Sequence, residues 1–310
     1  MLGRGVAEQL NRDGPFALFD DDIRAIAADA DLVVANLECC ISDRGAKWDP
    51  RHKPFHFRAP PSAVETLIWL GVDCVTLANN HALDYGHLAL ADTRRQLADA
   101  GIAVIGVGDT EADARSGVIR QVGDEHVAIL GIADHPADFA ASERAPGTAF
   151  ADLYAGTPRW LTDRVRELAA EADIVIVTPH WGPNMTTAPR RHVRRAARDL
   201  VDAGATLVAG HSAHVFHGVA GRVLYDLGDV IDDYVRDPVL RNDLGLLVLV
   251  DVAAAGPVRL EAWPLKLDCA HTGLAHGDDA DWVRHRFTAA CHDLGTAVAW
   301  QDDRLVIDWG

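Results

Sequence analysis

The chain has 310 residues, 49% hydrophobic and 24% charged, the proportions of ordinary globular domains, which excludes a disordered, collagen-like or coiled-coil polymer. Lys plus Arg total 29 against 46 Asp plus Glu, a formal charge of −17. A field of that sign repels phosphate backbones and anionic lipid, so duplex nucleic acid is excluded as a partner. The five cysteines, Cys39, Cys40, Cys74, Cys269 and Cys291, are odd in number and form no CxxC pair, which points to a reducing compartment.

No apolar run reaches the roughly 18–20 residues that a bilayer span needs, and the opening MLGRGVAEQLNRDG lacks the apolar stretch of a secretory signal, so a cytoplasmic chain without a membrane segment is expected. Met1 to Gly5 reads like the turn after a strand, with no strand before it. Short, β-branched-rich apolar runs then recur at 32–35, 72–77, 102–105, 127–132, 174–177 and 205–208, bounded by Gly, Asp or Asn, and are predicted to be buried strands. Between them fall helices. Ser62 with Glu65 reads as a capping box opening a helix that stops at Gly71; others cover about 87–100, run from Pro158 towards Asp173, and run from Pro189 to Gly204. After about residue 220 strands follow one another (222–227, 244–252, 258–267), then a helix near 280–294 and a last strand at 305–308. This order predicts one α/β domain over 1–310 with mixed sheets, its motif-bearing core at 1–252 and its C-terminal strands and helix at 253–310.

Polar residues able to ligate metal stand just beyond the C-terminal ends of four strands, where open α/β sheets place ligands. They are Asn36-Leu37-Glu38; Asn79-Asn80-His81 with Asp84-Tyr85-Gly86; His180-Trp181-Gly182; and Gly210-His211-Ser212-Ala213-His214. Singly, Glu38 reads as a solvated turn residue, Asn79-Asn80 as a turn tolerating left-handed backbone, and His180 as a core histidine. His211 and His214 say more, because an HxxH spacing on a Gly-initiated turn can aim two imidazoles into one cavity. Jointly, imidazole, carboxylate and amide oxygen suit Mn, Fe or Zn. A carboxylate can bridge two such ions about 3.5–4 Å apart that clamp a phosphate, while a neighbouring unligated histidine protonates the leaving group. Asn80 and His81 match that division of labour.

These four segments, in one order, resemble the CapA family of poly-γ-glutamate biosynthesis proteins, a branch of the calcineurin-like dinuclear metallophosphoesterases. The resemblance implies a sandwich of two mixed β-sheets flanked by helices, its first strand missing here. Carried across, Glu38 is the bridging carboxylate, Asn80, His180 and His211 bind the second metal, His214 binds the first, and His81 is the acid that polarises substrate, with Asp84 counted beside it as catalytic. Three departures stand out. His217 takes the place of a family Gln and is expected at the substrate. Tyr225-Asp226-Leu227-Gly228-Asp229 replaces the usual Tyr-Ser-Leu-Gly-Asn and is followed by Asp232-Asp233, acids read as supporting the site. The family's opening Gly-Asp, whose Asp binds the first metal, is absent. An intact member holds two divalent ions; this chain is expected to hold one tightly and hydrolyse poorly, unless Asp226 or Asp229 replaces the lost Asp.

The implied activity is a metal-dependent hydrolase acting on a phosphoester or γ-glutamyl-type bond in an anionic small molecule or polymer. A non-hydrolytic accessory protein of poly-γ-glutamate synthesis or export, and a metal-dependent lyase or epimerase, stay open. Arg190, Arg191, Arg194, Arg195 and Arg198 form a stripe opposite Val193, Ala197, Leu200 and Val201; a solvated face explains it, but it could also guide a polyanion, with Arg194 and Arg198 as capture residues. Lys53, His56, Arg58, Asp134 and His135 sit in loops on the same side, with Arg58 and His135 the candidate substrate contacts. His192, His285 and His292 lie in helical patterns and are expected outside the site.

Overall fold

In the computed structural model, which describes residues 1–49 and 53–309, the apolar runs become strands that divide among three main sheets. The first is a parallel sheet of Val34–Asn36, Cys74–Thr76 and Ala103–Ile105, with Cys74–Thr76 in the middle. The second has six strands in the order Val219–Ala220, Val223–Leu224, Leu207–Ala209, Ile174–His180, Glu125–Ala133 and Val118–Val122, parallel at its centre and antiparallel at both edges. The third is antiparallel and built around Leu244–Ala253 and Gly256–Leu267, with Thr272–Leu274, Ala299–Gln301 and Arg304–Asp308.

The first two sheets pack face to face through Cys74, Ile105, Val127, Ile129 and Ile174. They are in tight contact at Gly131, where a Cβ would lie 2.5 Å from Thr76 Oγ1. Helices Arg4–Asp13, Asp21–Ala27, Ala63–Trp69 and Gly86–Asp99 cover the outer face of the first sheet, burying Leu10, Ile23, Leu67 and Leu90 with Val75 and Leu77. Helices Arg159–Glu171 and Arg191–Ala203 cover the second with Leu161, Val165, Val193 and Leu200 against Leu130, Val175 and Val208. Helix Gly277–His292 lays Val283, Phe287 and Cys291 on the third. Both faces of the parallel strands are therefore buried, which is why they read as continuous apolar runs rather than alternating ones. Among the described residues no helix is long and apolar enough to cross a membrane, and all five cysteines are unpaired, with Cys269 exposed and the others buried.

The structure departs from the sequence reading at helix starts. Ser62 makes no side-chain cap because its backbone is already helical (φ −61°, ψ −14°), and the turn opens on the carbonyls of Pro60 and Pro61. The reciprocal capping box lies instead at Thr110 and Asp113. Pro158 is the N-cap rather than the first helical residue. Helices Arg4–Asp13 and Asp21–Ala27 were not predicted; both are short, and Asp21–Ala27 is held by its packing rather than by a side-chain cap. The arginine helix ends as expected at Gly204, whose φ of +116° an L side chain rarely adopts.

Because Gly131 lies where the two sheets touch, Gly131→Ala is expected to destabilise the fold by about 1–3 kcal/mol through overpacking. Urea denaturation checks this; an unchanged midpoint would show that the sheets have slack there.

Candidate metal and acid–base site

The site is assembled where parallel strands end together. The Ile174–His180 strand stops at His180, and the next strand's exit is locked beside it. His211 N–H donates to Pro179 O and Trp181 N–H to His211 O, each at 3.0 Å, extending the pairing to a bridge between His180 and His211. The two buried imidazoles thus face each other with Nδ1 atoms 2.9 Å apart. This approach requires glycine at 210, since a Cβ there would lie 2.3 Å from the Trp181 indole nitrogen, which itself donates to Tyr225 O at 2.8 Å. The following turn is strained: Ser212 and His214 adopt φ values of +128° and +59°. Ser212 Oγ donates to Gly182 O and Ala213 N–H to the buried Asp226 carboxylate, at 3.0 and 2.8 Å, and hold it there.

The exits of the first sheet supply the other half. Asn36 Nδ2 donates to Glu38 Oε2 at 2.9 Å, Asn79 Nδ2 to Asn36 Oδ1 at 2.9 Å, and His81 N–H to Asn79 Oδ1 at 3.0 Å, so three amide and carboxylate groups fix one another. His81 places Nε2 3.9 Å from Glu38 Oε1 and Nδ1 2.6 Å from Asp84 Oδ2, and its ring stacks on Phe57. Asp84, fully buried, also accepts from Phe57 N–H at 2.6 Å and pairs with Lys53 Nζ at 3.2 Å. Lys53 also donates to Asn80 O. Burial holds the His81 imidazole well below its ordinary range, opposed by Glu38, and pushes the Asp84 carboxyl up to about 7, opposed by Lys53.

His214 reaches the same centre from the far side, Nε2 4.0 Å from Glu38 Oε1. Its Nδ1 meets Asp229 at 3.0 Å, the arrangement in which a carboxylate fixes the tautomer of a ligating histidine. Burial works against charge on His214, but Asp229 outweighs it and raises the imidazole to about 10. Burial likewise lowers His211 to about 3 and His180 well below the ordinary range, leaving both as neutral imidazoles. Asp232, buried beside Asp229, is pushed up to about 8.

Among the buried side-chain atoms that have no hydrogen-bond partner are Glu38 Oε1, Asn80 Oδ1, His180 Nε2 and His211 Nε2 at the strand exits; Asp84 Oδ1, His192 Nε2, His217 Nδ1 and Asp232 Oδ2 nearby have no hydrogen bond either. Leaving one such group unpaired costs about 1–3 kcal/mol. Those at the strand exits are two imidazole nitrogens, a carboxylate oxygen and an amide oxygen, donors that suit a divalent Mn, Fe or Zn ion. By donor chemistry and burial the residues fit such an ion. Among the described residues no group of three or more His, Cys, Asp or Glu side chains is arranged to hold a metal ion without the Asn80 amide or a shift of side chains.

The other candidates are distributed unevenly. His135 contacts Asp134, and its ring lies 5.0 Å from that of His180. Arg58 lies over the Tyr85 ring, His56 Nε2 meets Trp48 O at 2.7 Å, and buried His217 meets Thr186 O at 2.7 Å and braces that loop. The five arginines do not form one stripe. Arg194 turns to Pro189 O, whereas Arg191, Arg195 and Arg198 share a groove with Tyr154 and His192. His285 and His292 are exposed, as expected, but His192 is not remote: its Nε2 is 3.6 Å from Asp134 Oδ2, whose carboxylate accepts Gly182 N–H at 2.9 Å. A helical position was read as distance from the site, yet the helix begins directly after the His180 loop. Tyr154 carries no signal in the sequence, because nothing there links it to a helix that starts nearly forty residues later.

An α/β frame whose parallel strands end on histidine, carboxylate and amide side chains defines the class, and the comparisons with known proteins define the family. Residues 1–234 match the family described as "Bacterial capsule synthesis protein PGA_cap", and the chain belongs to it. It is 31% identical over 305 residues to a Mycobacterium tuberculosis protein named "Probable polyglutamine synthesis accessory protein", covering 89% of this chain and 76% of that one. It is 30% identical over 239 residues to the PGA biosynthesis protein CapA of Bacillus subtilis, covering 75% of this chain and 61% of that one. A solved structure described as a novel phosphatase of Mycoplasma pneumoniae superposes at a TM-score of 0.45 with 14% identity, over 81% of this chain and 85% of that one.

His180→Ala and His211→Ala are each expected to reduce bound Mn by more than tenfold in affinity with little change in circular dichroism, since each removes a donor to one ion. Asp229→Asn should weaken binding by roughly 10–100-fold, because it frees the His214 ring. Mn titration of the metal-stripped chain reads all three; unchanged stoichiometry and affinity throughout would show that the ion binds elsewhere.

Proposed function

We propose that the chain is a metal-dependent hydrolase of the dinuclear phosphoesterase type, acting on a phosphoester or γ-glutamyl-type bond in the production of poly-γ-glutamate. The observation that carries this reading is that Glu38, Asn80, His180 and His211, at the ends of four strands, each keep a side-chain atom without a hydrogen-bond partner, beside a His81–Asp84 pair 2.6 Å apart. The names of the relatives supply the connection to polyglutamate. Glu38, Asn80, His180 and His211 would hold one divalent ion, and Glu38 with His214 would serve a second. A bound ion would act as a Lewis acid toward the anionic oxygens of the substrate.

The chain's own residues do the rest. Asp84 fixes Nδ1 of His81, Lys53 fixes Asp84, and Nε2 of His81 holds the proton that passes to the leaving atom. Burial alone disfavours a protonated His81, and an anionic substrate group arriving at Nε2 restores that charge. Phe57, stacked at 3.9 Å, holds the plane of the His81 ring.

The reading is tested by assaying the Mn-loaded chain with an aryl phosphate and a γ-glutamyl anilide. Turnover is expected with one of them, and His81→Ala should lower it by roughly 10²–10⁴-fold while keeping the metal. The word accessory in a relative's name supports a second reading, a polymer-holding protein without turnover. A metal-replete chain inert to both substrates but binding the polymer would establish it.

A further inference from the structure

We propose that Tyr154, Arg191, His192, Arg195 and Arg198 form a second anion-binding site, which holds carboxylates of an extended polyglutamyl chain away from the reacting bond. The inference rests on the hydrolase reading only for its placement; the binding itself needs no turnover.

These residues line a groove of about 400 Å³. Arg191, Arg195 and Arg198 stand at i, i+4 and i+7 of the Arg191–Ala203 helix, so their side chains fall on one face. Like charges at that spacing repel and destabilise a helix unless something offsets them. Among the described residues no carboxylate forms an ion pair with any of the three, and only Arg195 is hydrogen-bonded, to the carbonyls of Leu153 and Tyr154. In a sequence with 46 acidic residues, the guanidinium groups of Arg190, Arg191 and Arg198 have no hydrogen bond or ion pair among the described residues. Asp199, on the same helix, accepts from Thr157 Oγ1 at 2.6 Å instead. By contrast Arg166 and Arg164, on the preceding helix, pair with Asp163 and Glu167.

The groove is built rather than incidental. Arg195 donates to Leu153 O at 2.5 Å and so anchors the segment that carries Tyr154, while its Nε stays buried without a partner. Tyr154 then stacks on His192 with ring centroids 3.8 Å apart and forms one wall. From His192 the contacts run through Asp134 to His135, whose ring faces His180 at 5.0 Å. His192, on the groove wall, is therefore linked to His180 through two side chains, Asp134 and His135. Guanidinium forks match carboxylate and phosphate oxygens in pairs, and a chain of net charge −17 repels polyanions elsewhere on its surface, so this face is where one can dock.

The test uses the full Mn-loaded chain and measures binding of a fluorescent poly-γ-glutamate oligomer and, separately, of inorganic tripolyphosphate. Arg191→Gln with Arg198→Gln is expected to weaken oligomer binding about tenfold or more, with the effect shrinking as salt is added and with Mn content unchanged. Tyr154→Ala should weaken it as well, and Arg166→Gln, whose partner is Asp163, should not. Weakening of tripolyphosphate alone would overturn the polyglutamyl assignment, and oligomer affinity equal to wild type in the double variant at low salt would overturn the site. Arg-dependent binding by a chain inert to every substrate would overturn the hydrolase reading alone; turnover with Arg-independent binding would overturn this one alone.

Discussion

The parallel pairing that runs past the end of the Ile174–His180 strand sets the geometry on which the site depends. Two backbone hydrogen bonds beyond the regular ladder hold His180 and His211 with Nδ1 atoms 2.9 Å apart in the interior. Two imidazoles so close and so buried cannot both be cationic. They persist as neutral rings, and neutral imidazole is the form that ligates metal. Gly210, whose missing Cβ leaves room for Trp181, is the local condition for that closeness, and the strained backbone at Ser212 and His214 is its consequence.

The opposing half of the site is organised by a different principle. On the first sheet the functional groups are fixed by one another: Asn79 by Asn36, Glu38 by Asn36, His81 by Asp84, and Asp84 by Lys53. Such a network leaves few rotamers open, so Glu38 Oε1 stays buried although no protein donor meets it. The two halves meet only because the sheets that carry them pack face to face, in near contact at Gly131 and Thr76.

The strands were legible because both their faces are buried, and the site was legible because its residues stand at successive strand ends. Glu38, Asn80, His81, His180, His211 and His214 follow from that rule and from the family resemblance together. What periodicity could not show is which loop residue turns inward. Arg58 rather than Lys53 was the expected contact, yet Lys53 meets Asp84 while Arg58 covers Tyr85. His192 was misjudged for a related reason: a helix pattern gives a residue's face but not what that face packs against, and here it packs against Asp134. The arginines divide for the same cause, Arg194 toward Pro189 and three others toward Tyr154.

The chain belongs to the capsule-synthesis family, and the proposed chemistry rests on buried atoms of ligand type beside the His81–Asp84 pair. The central claim is that those atoms converge on a divalent ion. Anomalous diffraction from a crystal soaked in Mn, recorded at the Mn edge, tests it most directly. The account predicts a peak bounded by Glu38, Asn80, His180 and His211. A fully soaked crystal with no peak among those four residues, or with its strongest peak elsewhere on the chain, would contradict it.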